Sequence, residues 1–225
     1  MTSLTPFKKI IKKTLGRDNY SKILNTSIGT WMHNKLHEGS ESSRDFLLQK
    51  MPKRSVCAEI GVHRGDFSER ILEIVQPKEL HLIDPWILEQ SEVYDKSYYG
   101  KKTVENQNVM DERFNDVLNR FEKEIKNKRV IVDRGYSETI LQNFQNEYFD
   151  WIYVDGNHLY EFVKKDLEIC YSKIKISGYI TGDDYNEGGW WEGEVKKAVD
   201  EFSLNNKQIK LIEIKADQFI LQKLG

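Results

Sequence analysis

Asp155-Gly156-Asn157-His158 and Gly182-Asp183-Asp184-Tyr185 each follow a short apolar run, Trp151 to Val154 and Tyr179 to Thr181. Three carboxylates and an imidazole are thereby set at the ends of two candidate strands. Carboxylates that converge without partners repel and bind protons more tightly, and a divalent cation removes that penalty. An all-oxygen set at Asp155, Asp183 and Asp184 suits Mg²⁺, Mn²⁺ or Ca²⁺ better than zinc. The plainer use is that Asp155 contacts a cofactor while Asp183 or Asp184 caps the next loop. His158 has the residue type best suited to take a proton near neutrality, with an ordinary pKa of about 6.5. Its plainer use is a helix-start residue bonded to backbone.

A second constellation precedes these. Glu59-Ile60-Gly61-Val62-His63-Arg64-Gly65 reads as a strand turning sharply into a helix, and Leu80-His81-Leu82-Ile83-Asp84 ends in a carboxylate one βαβ step later. Gly61 and Gly65 let the backbone turn tightly and approach a ligand. This is how an open α/β sheet holds a nucleoside-bearing cofactor. The dinucleotide fingerprint G-x-G-x-x-G is absent, because Glu59 stands at its first glycine. A carboxylate there repels pyrophosphate but suits an amine or a sulfonium. Asp84 can accept from ribose hydroxyls, or simply cap a turn with Pro85.

The elements that must position these residues alternate. Strands are expected at Val56–Ile60, Leu80–Ile83, Val130–Val132, Trp151–Val154 and Tyr179–Thr181. Helices are expected at Phe67–Val75, along one long segment from Glu105 to Lys126, around Ile140 to Phe144, over Leu159–Ile174, and from Val195 to Phe202. Such alternation means a doubly wound, mainly parallel sheet with helices on both faces. Ile209–Ile214 and Gln218–Gln222 are separated only by a tight turn, so the last two strands should be antiparallel. The result is an α/β fold with a seven-stranded sheet and one reversed C-terminal strand.

Glu59-x-Gly61-x-x-x-Gly65 with Asp84 and the closing hairpin resembles the class I S-adenosylmethionine (SAM)-dependent methyltransferases, over about residues 53–225. Ile152 to His158 followed by Gly182 to Tyr185 is similar to the branch of metal-dependent O-methyltransferases that modify sugars and glycosylated natural products. The resemblance implies a Rossmann-like domain over 51–225. It implies that Glu59, Gly61 and Gly65 hold the amino-acid end of SAM, that Asp84 holds the ribose, and that Ser137 lies near the adenine. It also supports a divalent metal, Mg²⁺ foremost, on Asp155, Asp183 and Asp184. One departure matters: related enzymes often carry a second aspartate, considered the base, where this chain has Asn157. The base is then His158, or a metal-binding aspartate such as Asp155, or activity is weak.

Two loops leaving the same sheet edge are aromatic, with Tyr94, Tyr98 and Tyr99 in one and Trp190 and Trp191 in the other. Aromatic faces suit the C–H face of a sugar or a flat ring, so the expected acceptor is a hydroxyl of a sugar or glycosylated small molecule. The alternatives are metal-independent N- or O-methylation of another small molecule, and a non-catalytic nucleoside-binding protein.

The 225 residues carry a net charge of -2, which gives no global electrostatic case for nucleic acid. The two cysteines, Cys57 and Cys170, are too few for a disulfide framework and read as buried thiols. With no signal-peptide core and no membrane-length apolar run, a cytoplasmic protein is expected. Residues 1–50 are expected to form an N-terminal helical cap segment over the sheet edge that carries the aromatic loops. Phe7, Ile10, Ile11 and Leu15 recur at helical spacing beside Lys8, Lys9, Lys12, Lys13 and Arg17. Packing on the domain is the expected use of that basic helix, and contact with an anionic membrane is the alternative. A second helix is expected near Ser43–Gln49. The sequence is compatible with a homo-oligomer.

Overall fold

A computed structural model describes residues 44–102 and 104–225. The basic helix expected over 7–15 lies outside the described residues. Residues 44–225 form one compact unit. The first helix, α1 (Asp45–Lys50), buries Phe46, Leu47 and Leu48 and packs on α2 (Asp66–Ile74). It stops at Met51, whose extended backbone is what a residue before proline adopts.

The strands are β1 (Val56–Ile60), β2 (Glu79–Asp84), β3 (Val130–Arg134), β4 (Phe149–Val154), β5 (Ile174–Gly182), β6 (Ile209–Lys215) and β7 (Gln218–Lys223). They form one sheet in the order β3-β2-β1-β4-β5-β7-β6. β7 runs antiparallel to both its neighbours, and the other pairings are parallel. The seven-stranded sheet with one reversed strand is therefore as the alternation and the closing turn require. Chain order reverses between β1 and β4, which makes that gap the topological switch point where open α/β sheets bind ligands.

Alternation along each strand builds two cores. Trp151 and Tyr153 of β4 join Leu82, Ile71, Met110, Val117 and Trp86 on one face. Ile152 and Val154 join Ala58, Ile83, Leu167, Val199 and Leu221 on the other. Cys57 and Cys170 are buried and unpaired, one in each core. The remaining helices are α3 (Gln107–Arg120), α4 (Glu122–Lys126), α5 (Ser137–Gln142), α6 (Tyr160–Lys173) and α7 (Glu194–Asn205).

The single helix expected from Glu105 to Lys126 is instead two, α3 and α4. Phe121 breaks it with φ -107° and ψ 19°, outside helical values. The ring of this buried residue lies against Gly65, where an added Cβ would come within 2.7 Å of it. Tertiary packing against the glycine turn outweighs helix continuity here. β5 is also longer than its apolar core suggested, beginning at Ile174 where helix was expected to end.

Register decides where the chemistry sits. Ile60 pairs with both Ile83 and Val154, and Val154 pairs with Gly182. The next residues of β1, β2, β4 and β5 are Gly61, Asp84, Asp155 and Asp183, so all four stand in one row. The row closes tightly at Gly61. An added Cβ there would fall 2.0 Å from the Asp155 carbonyl oxygen, and its φ of 87° is one that side-chain-bearing residues rarely adopt. Gly61→Ala should therefore destabilise the chain by about 2–3 kcal/mol. A urea unfolding curve reads this as a lower midpoint at constant slope, and an unchanged midpoint would show that the turn can retreat from β4.

Candidate active site

The row of strand ends holds two linked charge clusters. Asp155 belongs to both, because its two oxygens face different partners.

In the first cluster, Arg44, just before α1, places Nη1 3.0 Å from Asp155 Oδ2 and donates through Nη2 to Asp183 Oδ2. Its guanidinium lies 5.2 Å from the ring centre of Phe67 and 5.8 Å from that of Tyr153. Asp183 Oδ1 accepts from Gln218 of β7 and from the Asp184 amide. Burial, then the charge of Asp155, pushes Asp183 up to about 6 against the pull of Arg44. Glu59 is buried on β1 and accepts from Ser68 Oγ at 2.5 Å. Burial pushes it up to about 8, with Asp155 and Asp84 adding to the rise and Ser68 and Arg44 opposing it.

In the second cluster, His158 Nε2 lies 2.7 Å from Asp184 Oδ2 and 3.4 Å from Asp155 Oδ1. Burial alone would lower its pKa, but hydrogen bonds to Asp155 and Asp184 and their charges win and raise it to about 9. One ligand atom from each of Asp155, His158 and Asp184 falls within 4.8 Å of the others, close enough to hold a metal ion. Asp183, by contrast, directs its oxygens to Arg44, Gln218 and the Asp184 amide.

Asp84 Oδ2 accepts from the amides of Val62 and His63 at 2.9 and 3.0 Å and from the Tyr99 hydroxyl at 2.5 Å. Its Oδ1 accepts from the Trp86 amide at 2.7 Å. The carboxylate thus stitches the glycine turn to the end of β2, and burial raises its pKa despite those donors. Ser137 opens α5 and donates to the buried Asp166 of α6.

The two aromatic loops meet over the second cluster. Trp191 stacks on His158 at 4.9 Å and Trp190 meets the same ring edge-on at 5.7 Å. Tyr94 packs against Trp190 at 5.8 Å. The Tyr94 hydroxyl accepts from Asn157 Nδ2 at 2.8 Å, while Asn157 Oδ1 accepts from the Leu159 amide. Arg44, Gln218 and the Asn157–Tyr94 link have no signal in motif spacing. Only folding brings positions 44 and 218 beside 155 and 183.

The residues present suit the two groups that the sequence implies. Glu59 and Asp84, both buried, stand beside the glycine turn at the switch point, acidic groups whose chemistry suits an ammonium and ribose hydroxyls. Asp155, Asp184 and His158 offer a compact donor set for a cation. A family model described as "Methyltransferase domain" matches residues 58–185, which includes every acidic residue of both clusters and His158. The chain belongs to this family and is a class I SAM-dependent methyltransferase.

Solved structures share the fold. An O-methyltransferase from Bacillus cereus in complex with SAH aligns with TM-score 0.57 and 16% identity over 96% of each chain. A candidate rRNA methylase from Clostridium thermocellum aligns with TM-score 0.56 and 12% identity, over 81% of this chain and 94% of that one. The O-methyltransferase TomG from Streptomyces achromogenes, involved in tomaymycin synthesis and solved with SAM, gives 0.52 and 14% over 80% and 77%. Among curated proteins, no sequence matches this methyltransferase. Identities this low establish a shared architecture and leave the acceptor open. Among the described residues, no helix is long and apolar enough to cross a membrane.

The proton on His158 ties stability to pH. Because the folded pKa is raised, that contribution is complete below about pH 6.5 and is lost as pH rises through about 9. NMR of labelled histidine should find one imidazole titrating near pH 9. Asp184→Asn should bring it down by about one unit or more. A wild-type value near 6.5 would show that the carboxylates do not hold the proton.

Proposed function

We propose that this methyltransferase transfers the methyl group of SAM to a hydroxyl of a sugar or glycosylated small molecule, assisted by a divalent cation such as Mg²⁺. The observation that carries the reading is the juxtaposition of Asp155, His158 and Asp184 under a roof of Tyr94, Trp190 and Trp191. A cation-binding donor set beneath stacked aromatic faces suits a polyhydroxyl acceptor. A net charge of -2 adds no general attraction for a polyanion.

When bound, SAM supplies an electrophilic methyl on a sulfonium, open to in-line displacement. The turn Gly61–Gly65 would hold the cofactor's amino-acid end, with Glu59 close by on β1. Glu59, raised to about 8 in the ligand-free chain, favours its ionised form beside a cationic ammonium. Asp84, which accepts from the Tyr99 hydroxyl, would hold the ribose hydroxyls. Ser137, at the start of α5 beyond β3, would border the adenine.

Asp155 and Asp184 would hold the cation, with Asp183 behind them on Arg44. When bound, the cation would lower the pKa of the acceptor hydroxyl. His158 takes the acceptor's proton. Against the effect of burial, Asp155 and Asp184 raise its pKa to about 9, so they favour its protonated form. A cation held by those carboxylates would weaken their hold on the imidazole proton, leaving His158 suited to act as base.

One observation favours a metal-independent variant. Arg44 and protonated His158 already supply two positive charges to Asp155, Asp183 and Asp184. Methyl transfer from labelled SAM to a panel of sugars and glycosides separates the two. Metal assistance predicts at least a roughly tenfold loss on chelation with EDTA and recovery with Mg²⁺ or Mn²⁺. It also predicts a loss of about 10²–10³ for Asp155→Asn. Turnover undiminished in EDTA would pass the reaction to the metal-independent variant.

A further inference from the structure

The methionyl end of SAM is a zwitterion, so its pocket must supply an anion for the ammonium and donors for the carboxylate. Acidic groups are plentiful here, with Glu59 on β1 and Asp155 just beyond the adjacent β4. Four of the glycine turn's amides are already engaged, and burial keeps the His63 imidazole neutral, its pKa lowered to about 4. The Val62 and His63 amides are given to Asp84, the Gly61 amide to the Ile83 carbonyl, and the Gly65 amide to the Val62 carbonyl. The turn's own cation, Arg64, is half exposed and lies 3.9 Å from Asp116, turned towards α3.

We propose that Arg44 is the specificity-determining residue that receives the cofactor's α-carboxylate. This rests on the reading that Glu59 and Asp155 face the ammonium. The guanidinium is already at the switch point, on Asp155 and Asp183 and between Phe67 of α2 and Tyr153 of β4. Its charge acts on Glu59. Arginine offers a planar fork that matches a carboxylate bidentately. In the structure the fork is directed at Asp155 and Asp183. Arrival of the zwitterion exchanges ion pairs: the ammonium takes up the carboxylate charge that Arg44 held, and Arg44 turns to the ligand's carboxylate. The exchange leaves the net charge of the site unchanged, because the methionyl end brings one charge of each sign.

Calorimetry on the full chain with two probes, SAH and its decarboxylated amine analogue, tests this. Wild type should bind SAH at least about tenfold more tightly than the amine. Arg44→Gln should lose about ten- to a hundredfold on SAH and bind the amine as well or better, because Asp155 and Asp183 then lack their cation. Arg44→Lys, which keeps the charge without the fork, should fall between. It also serves if the glutamine variant melts below the assay temperature. Equal wild-type affinity for the two probes would overturn the role of Arg44, as would an equal loss on both in the variants. Failure of wild type to bind either probe would overturn the cofactor-site reading itself.

Discussion

The contact between the turn after β1 and the end of β4 is what the rest of the site depends on. Gly61 lies against the Asp155 carbonyl where no Cβ fits, and the Asp155 amide donates to the Ile60 carbonyl at 2.8 Å. Two strands separated by nearly a hundred residues are thereby locked level at their carboxyl ends. The parallel register carries that level to β2 and β5. A parallel sheet has no side-chain lock of its own at its edge row. A slip of one residue along β4 would send Asp155 to the opposite face and break both charge clusters together.

That row concentrates negative charge, and the chain balances it with cations from outside the sheet. Glu59 and Asp183 respond by binding protons more tightly, with burial as the leading cause in each. Arg44 and His158 respond by pairing, one on each side of Asp155. Burying ionised groups is tolerated only when they are paired and hydrogen-bonded, and here each acid has a named partner: Ser68, Arg44, Gln218 or His158. A site built this way is poised to exchange cations. The attractions that hold the ligand-free arrangement would equally hold an ammonium, a sulfonium or a metal.

The fold was legible because its signals are local. Apolar runs such as Trp151–Val154 name their strands, and the six-residue spacing at Ile214–Phe219 leaves room only for a turn. The glycine turn, Asp84, and the acidic ends of β4 and β5 were legible because a parallel sheet sends all such ends to one edge. What was not legible depends on long-range packing. Phe121 stops a helix that its sequence would continue, because its ring is needed against Gly65. Asp183 and Asp184 are neighbours in sequence, yet they serve different clusters. Asp184 takes φ of 62° and swings to His158, while Asp183 stays with Arg44 and Gln218. No spacing rule distinguishes two adjacent aspartates, and none reaches from position 44 to position 183.

Asn157 shows how one substitution of type can move a function within a site. Its amide donates to Tyr94 and accepts from Leu159, tying the aromatic loop to the start of α6. A carboxylate at that position could accept from both but donate to neither, and it would add a fourth negative charge beside Asp155 and Asp184. The amide gives the loop an anchor without deepening the repulsion. Proton transfer must then come from the one titrating side chain stacked under Trp191, and its charge state is set by Asp155 and Asp184. Under the proposed chemistry, roof, base and cation site are therefore not separable parts. They share Asp155, and Asp155 is held level with the cofactor turn by the absent side chain of Gly61.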